Sequence, residues 1–301
     1  MVDYDAHHWS SHLFDIKGSL VREILTRVTS CTGWALVIVL LDQLVRSQWP
    51  GATVAIPETA HALVGVALGL LLVFRTNTSY DRFWEARKLW GSITNECRNL
   101  VRAGSVFLQA DPALVRRLAL WTAAFPYTVM YRLNRAPMRL GPSAQDLPED
   151  EVQRVLQAEH VPLAVSTKLT RTLAEGGRLG ILPEYQLMTL DQNVQLLIDY
   201  MGACERIRNT SMPYAYVVHL RRALIVYCVT LPFALVQKYG WLTILVTLVV
   251  SYIVFGIEEI GVEIEDPFDE DANSLPLGTM CGTIQANVRG LMAEQGIEIS
   301  G

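Results

Sequence analysis

The feature of this sequence that most constrains its fold is an uncharged run from Thr59 to Phe74 that passes, without a helix breaker, into a cationic and aromatic segment beginning at Arg75. Pro57 suits the first turn of a helix, because its missing N–H would have no partner there. Beyond Arg75, large apolar residues continue to recur at helical intervals of three and four. The pattern predicts one helix from Pro57 to about Gly104, roughly 70 Å long. Such a helix is typical of one that leaves a membrane and enters water.

The composition places part of the chain in lipid. Of the 301 residues, 51% are hydrophobic and 18% are charged, and the mean hydropathy of +0.25 is on the apolar side for a soluble protein. The net charge of −5 provides no basic surface of the size that nucleic acid needs, so nucleic acid is not an expected partner. The N-terminus lacks the basic and apolar regions of a signal peptide, so we expect the membrane segments to be internal.

Four apolar stretches are candidates to cross the bilayer: residues 28–45, 59–74, 223–236 and 241–257. Several are shorter than the roughly 20 residues that a lone spanning helix needs, which indicates helices that shield one another in an assembly. The last two are separated by a short linker and predict a membrane hairpin. Strand signals are few. The sequence therefore predicts an all-α, multi-pass membrane protein with four transmembrane helices and a helical cytosolic domain.

The charges that flank these stretches predict their orientation. Arginine and lysine concentrate before the first stretch, after the second and before the third, and by the positive-inside rule these ends face the cytoplasm, as do both termini. The predicted divisions are a cytosolic N-terminal segment at 1–27, transmembrane helices 1 and 2 at 28–76, a cytosolic helical domain at 77–222, a transmembrane hairpin at 223–257 and a cytosolic C-terminal segment at 258–301.

The second apolar stretch has two interpretations. The default for one hydrophobic helix is a surface that faces lipid or the core of a bundle. A pore-lining role is favoured by the absence of charge, by the continuation into water and by small residues that allow helices to approach closely, namely Ala62, Gly65, Ala67 and Gly69. Copies packed around an axis would then form a hydrophobic constriction, where gating by dewetting can occur.

A longer motif follows the second stretch. The segment from Arg75 to Arg87 reads RTNTSYDRFWEAR and resembles the FRxNxxYxRxWEaR signature that closes the pore-lining helix in the bacterial branch of the bestrophin family. The residues that carry this match are Arg75, Asn77, Tyr80, Arg82, Trp84, Glu85 and Arg87. Two further segments support the resemblance. Residues 266–271 are similar to the family's NPFGEDDDD segment, and residues 211–216 are similar to the proline-containing segment before its third membrane helix.

The resemblance implies a homopentamer in a bacterial inner membrane, in which the second helices line one axial pore with a hydrophobic neck. In the family's register the neck falls at Thr59, Leu63 and Ala67, where family members carry Ile and Phe. We favour this register, with a neck that is wider and more polar than in the family. The alternative is a rotated lining face formed by Ala62, Val66 and Leu70. The cytosolic aperture of the family falls at Met212.

The acidic segment after the last membrane stretch departs from the family pattern. Its carboxylates belong to Asp266, Asp269, Glu270 and Asp271. The resemblance implies calcium ligands here, because eukaryotic members bind Ca²⁺ with carboxylates of this run, and oxygen ligands suit that ion. Aligned on Pro267, this chain keeps Asp271 but has Ser274 in place of a later ligand. We therefore expect a solvated acidic loop, no calcium activation and no bound metal.

The other polar and reactive residues are weaker candidates for functional sites. The five cysteines are scattered, without a CxxC pair, and we expect them to be buried small hydrophobes. His7, His8 and His12 fit an amphipathic N-terminus with surface histidines better than a metal site. Asp42 is a costly carboxylate within the first stretch, and because it lies near the helix end we expect it to be exposed at the interface.

Three functions are compatible with this sequence. The leading one is a passive channel for monovalent ions. The resemblance to bacterial members favours cations, the eukaryotic relatives favour anions, and the acidic balance is compatible with cations without deciding the sign. A membrane-embedded enzyme should show clustered histidines or carboxylates at the membrane border, and a third possibility is a non-conducting scaffold. No catalytic motif stands out, so we expect neither enzymatic activity nor a cofactor. The expected partners are further copies of the chain, monovalent ions and lipid.

Overall fold

The computed structural model describes residues 20–271 and 273–299, and His7, His8 and His12 lie outside this part of the chain. Within the described residues all regular elements are helices, which confirms the predicted all-α class. They are α1 Val21–Gln48, α2 Glu58–Phe107, α3 Pro112–Leu133, α4 Glu149–Leu156, α5 Val161–Arg178, α6 Glu184–Asn209, α7 Tyr214–Tyr239, α8 Leu242–Glu263 and α9 Leu277–Ala293, with a 3-10 helix at Pro142–Asp146.

The chain divides by packing into two units. The transmembrane unit contains residues 20–83 and 211–267 together with 271 and 273, and the helical unit contains residues 84–210, 268–270 and 274–299. Helix α2 is continuous over 50 residues and contributes to both. The segment boundaries predicted from the sequence mark the edges of the bilayer, whereas the two units are defined by packing within the chain. The predicted boundaries therefore stay predictions.

The transmembrane unit consists of α1, the first half of α2, α7 and α8. These four helices are long and apolar enough to cross a membrane, as predicted. Their shared core is built from aliphatic side chains of α1, α2 and α7 together with Cys228 of α7 and Phe255 of α8. Only 22% of the most apolar window of α2 is buried, however. Since such a surface cannot face water, it requires lipid or other protein around it.

The helical unit is organised around α3, most of whose side chains are buried. Asp111 caps the helix by accepting the N–H groups of Ala113 and Leu114, which have no partner within the first turn. Helix α3 packs against α5, α6 and α9. Trp121 and Phe125 are fully buried on it, so the unit has a well-formed core of its own. Helix α9 was not among the elements predicted from the sequence.

Candidate pore-lining helix

One face of α2 is fixed into its own transmembrane unit. His61, Leu68, Leu72, Arg75 and Ser79 are all buried and recur at helical spacing along this face. The His61 ring stacks on Tyr227 with centroids 4.2 Å apart, and its Nε2 is 3.1 Å from the Tyr227 carbonyl oxygen. These contacts fix the rotation of α2 about its own axis. They therefore determine which side chains lie on the opposite, exposed face of the helix.

The opposite face of α2 is a broad exposed arc. Leu63 is 70% exposed, Val66 66% and Leu70 57%. At about 100° per residue, Thr59, Leu63, Val66 and Leu70 lie roughly opposite the packed face, with Ala67 to one side and Ala62 to the other. Both predicted lining sets are therefore available to an axial path. The choice between them depends on neighbouring copies and stays a prediction.

The exposed arc carries no charge over the length of the predicted neck. Its polar ends are Thr59 on one side and Asn77 on the other, both exposed. An ion that passes an uncharged, mostly aliphatic constriction finds no replacement for its hydration shell there. The arrangement therefore suits a barrier whose height depends on width and hydration rather than on fixed charge.

Arg75 ends the apolar part of the packed face and is only 1% exposed. Its guanidinium lies 3.6 Å from the Glu258 carboxylate and 3.5 Å from that of Glu265. Glu258 is 2% exposed and also pairs with Arg27 at 3.3 Å and Arg221 at 3.1 Å. One carboxylate of α8 thus meets arginines of α1, α2 and α7, and connects all four transmembrane helices.

The close approach of α8 to α2 at this network depends on Gly261. A Cβ on Gly261 would lie 3.1 Å from Arg75 Nε, and the Gly261 carbonyl accepts the Ser79 hydroxyl at 2.8 Å. Sequence reasoning identified Arg75 but missed its partners. The available signal was Glu258 at the end of an apolar run, because a carboxylate in that position needs a cationic partner.

The remaining signature residues divide between half-buried and exposed positions. Arg82 donates to the Glu265 carbonyl oxygen at 3.2 Å, whereas Asn77 and Tyr80 are exposed. In the helical unit, Glu85 forms an ion pair with Arg206 at 3.0 Å. Trp84 is 50% exposed and Arg87 is also exposed. Part of the signature therefore holds the helix in its own subunit, and the other part is presented outward.

Met212, the predicted aperture residue, is 9% exposed. Its N–H donates to Glu265 Oε1 at 3.1 Å, and its Sδ lies 3.9 Å from the Ser79 hydroxyl oxygen. The neighbouring Tyr214 is 82% exposed. The aperture assignment concerns assembled copies and stays a prediction.

The acidic segment is a loop after α8. Asp269, Glu270 and Asp271 are exposed, and Asp266 is half-buried. The Glu270 N–H donates to Asp269 Oδ1 at 2.9 Å. Among the described residues no group of three or more His, Cys, Asp or Glu side chains is arranged to hold a metal ion.

Asp42 is not exposed at the membrane interface, so that expectation was wrong. Its side chain is 3% exposed and accepts hydrogen bonds from the Thr53 hydroxyl at 2.7 Å and the Val54 N–H at 3.2 Å. Arg46, one turn later, pairs with the other carboxylate oxygen at 2.6 Å. Asp42 therefore anchors the loop between α1 and α2, which compensates the cost of burying its charge.

Comparison with known proteins gives consistent matches over nearly the whole chain. The family model described as Bacterial/Fungal Bestrophin protein matches residues 1–290. Two cyanobacterial proteins, each named voltage-dependent anion channel-forming protein, are similar. The Nostoc protein is 38% identical over 93% of this chain and 91% of its own. The Synechocystis protein is 37% identical over 97% of this chain and 96% of its own. A crystal structure of a bacterial bestrophin homolog from Klebsiella pneumoniae superposes with a TM-score of 0.82 at 28% identity, over 91% of this chain and 99% of that one.

Proposed function

The chain belongs to the bacterial and fungal bestrophin family, and from this we propose that it forms an ion channel whose axial path is lined by the exposed arc of α2. Members of the family are ion channels rather than enzymes. The observation that carries the proposal is the uncharged exposed arc of a helix whose opposite face is fixed by His61 and Arg75. Five copies around one axis, as the family resemblance implies, would enclose that arc.

The proposed location is a bacterial inner membrane with both termini in the cytoplasm. The positive-inside rule supports this orientation, because Arg22 and Arg27 precede the first membrane stretch and Arg221 and Arg222 precede the third. The signature segment after Phe74 has the same cationic character. The ends of α1, α2 and α7 that carry these arginines would then lie on the cytoplasmic side.

The ions conducted are proposed to be monovalent, with anions as the first candidate. The names of the cyanobacterial relatives describe anion channel-forming proteins. The cation preference expected from the sequence depends on the resemblance to bacterial members, and the net charge of −5 is compatible with either sign. An uncharged neck selects neither sign by itself. The sign must then depend on the widths and charges of the vestibules.

Planar-bilayer recording of the purified protein under a potassium chloride gradient tests both conduction and ion sign. We expect single-channel currents that reverse near the chloride equilibrium potential, and replacement of chloride by a large organic anion should move the reversal potential. Reversal near the potassium potential would establish the cation alternative. Silent bilayers containing intact oligomers would contradict the channel and favour the scaffold. The Leu63→Arg variant places a ring of positive charge on the proposed path, so its current should show greater anion preference than that of the wild type. Such a shift would show that the current passes through this protein.

A further inference from the structure

A groove between α1, α7 and α8 lies away from the predicted neck on α2. It has a volume of about 480 Å³, within the size range of ligand sites. Its walls are mostly apolar and include Trp34 and Cys31 of α1, Leu224 and Val229 of α7, and Phe255 of α8. We call this the α1–α7 groove.

One end of the α1–α7 groove is cationic. Arg27 and Arg221 line this end, and their side chains are 43% and 52% exposed. Their shared partner Glu258 also lines the groove but is only 2% exposed, and Arg27 pairs in addition with the mostly buried Glu259. The exposed surface at this end therefore belongs mainly to the two arginine side chains, whereas the carboxylates that pair with them are largely buried. Arginine in such a position can bind a phosphate group through two parallel hydrogen bonds.

We propose that the α1–α7 groove binds one anionic phospholipid of the surrounding bilayer. The headgroup phosphate lies against Arg27 and Arg221, and one acyl chain packs along Leu224, Val229 and Phe255. Cationic pockets between membrane helices attract anionic headgroups, and the apolar walls of the groove can pack against an acyl chain that is already out of water in the bilayer. A free phosphate would leave the apolar walls uncovered, and a neutral lipid would leave the arginines without an external partner. The charge of the rim and the apolarity of the walls together favour an anionic lipid.

Two pairs of neighbouring substitutions test the site. Arg221→Gln removes a rim charge, and Arg222→Gln removes the adjacent exposed charge that does not line the groove. Ile225→Trp fills the groove, and Val226→Trp places the same bulk on the next exposed position of α7, outside it. Since Arg221 also pairs with Glu258, the Ile225 pair provides a test that alters no charge.

The measurement is the titration of each purified oligomer in mild detergent with dioleoylphosphatidylglycerol, followed by native mass spectrometry and thermal unfolding. We expect saturable binding and a raised unfolding midpoint for the wild type, because a ligand stabilises the state it binds. Arg221→Gln and Ile225→Trp should each weaken binding by about tenfold, and the two matched controls should leave it within about twofold of the wild type. Dioleoylphosphatidylcholine should bind weakly, and inorganic phosphate should not stabilise the protein.

Three results would overturn the proposal. Equal losses for Arg221→Gln and Arg222→Gln would indicate diffuse attraction to anionic membranes. Stabilisation by inorganic phosphate alone would indicate a free-anion site. Loss of the oligomer in Ile225→Trp, with lipid binding unchanged, would show that a second copy of the chain covers the groove. These readouts are independent of ion conduction, so failure of the channel proposal would not produce them.

Discussion

At the scale of single residues, Glu258 has the most consequential position in the transmembrane unit. Its carboxylate is buried and is shared by Arg27, Arg75 and Arg221, which come from three different helices. Arg75 itself is almost fully buried, and its Nε and Nη1 atoms make no hydrogen bond with the described residues. The ion pairs are therefore the main compensation for burying that guanidinium.

The variant Glu258→Gln should destabilise the folded protein by about 3 kcal/mol, because it leaves the buried Arg75 guanidinium with the half-buried Glu265 carboxylate as its remaining ion-pair partner among the described residues. Glu259→Gln is the matched control. Among the residues that the structure describes, Glu259 pairs with Arg27 alone, whose side chain is 43% exposed, so the loss of this pair should cost about 1 kcal/mol or less. Thermal unfolding in detergent, followed by tryptophan fluorescence, measures both. Equal midpoints for the two variants would show that Glu258 does not have the role assigned to it.

The sequence predicted Arg75 as a functional position but could not predict what it contacts. Arg75 and Glu265 are 190 positions apart, and no local spacing relates residues at that separation. The same limit applies to Asp42. Its place near a helix end indicated exposure, whereas partners in the following loop, at Thr53 and Val54, bury it.

At the scale of elements, α2 is the helix that the sequence described best. The prediction of a helix from Pro57 to about Gly104 compares with Glu58–Phe107 in the structure. Helix α1 begins at Val21, seven positions before the apolar stretch that predicted it. An apolar run indicates the part of a helix that lies in lipid. The helix itself can extend beyond that run, because its polar side chains can reach water there.

Helix α9 was missed although its sequence carried a signal. Leu277, Cys281, Ile284, Val288 and Met292 are buried, and they recur at intervals of four and three from the start of the helix. A periodic search of residues after the acidic loop would have found this face. The rotation of α2 in the assembly is a different case, because it depends on neighbouring copies rather than on this chain's own pattern.

The neck register can be decided by substitutions on α2. Ala67→Phe adds bulk to the favoured lining face and should reduce single-channel conductance roughly twofold or more, whereas Leu63→Ala should raise it or hold the pore open. Both side chains lie on the exposed arc, so oligomer assembly and thermal stability should change little. Paired bilayer recording and size-exclusion chromatography measure these effects. Unchanged conductance in Ala67→Phe, together with altered conductance in Val66 or Leu70 variants, would assign the lining to the rotated face.

Single cysteines introduced from Thr59 to Leu70 extend this test, since lining positions should react with a water-soluble thiol reagent at helical spacing. The native thiols of the helical unit give little background. Burial raises the pKa of Cys204 to about 12, so it stays protonated at pH 8, and only the thiolate is nucleophilic. Burial also raises the pKa of Cys97 and Cys281. Cys31, which is half-buried, should be replaced by alanine in the parent protein.

At the scale of the whole molecule, a single chain does not enclose an ion-conduction pathway. Large apolar side chains such as Leu63, Val66 and Phe74 are exposed on a helix whose other face is packed, so the missing surface must come from lipid and further copies. The number of copies depends on the closing angle between neighbours, which no single chain specifies. Fold class and membrane helices could therefore be predicted from sequence periodicity, whereas the pentamer depends on the family resemblance.

The acidic loop allows a prediction about how the assembled channel responds to calcium. Ca²⁺ requires about six to eight oxygen ligands that converge on one point. Asp269, Glu270 and Asp271 are exposed, whereas Ser274 is 2% exposed. In the alignment on Pro267 that the resemblance implies, Ser274 stands where calcium-binding members have a carboxylate. A buried serine contributes no charge and offers no oxygen to an ion in solvent. We therefore expect the loop to lack the full set of ligands that a calcium site needs.

Micromolar Ca²⁺ should therefore change neither the open probability in bilayers nor the thermal unfolding midpoint, since a ligand stabilises only in proportion to its preferential binding to the folded state. The comparison is between chelator-buffered solutions with and without free Ca²⁺, with Mg²⁺ at the same ionic strength to control for screening. Asp271→Ala should behave as the wild type does. Activation by micromolar Ca²⁺ that is absent with Mg²⁺ and lost in Asp271→Ala would show that this carboxylate completes a calcium site despite the serine at position 274.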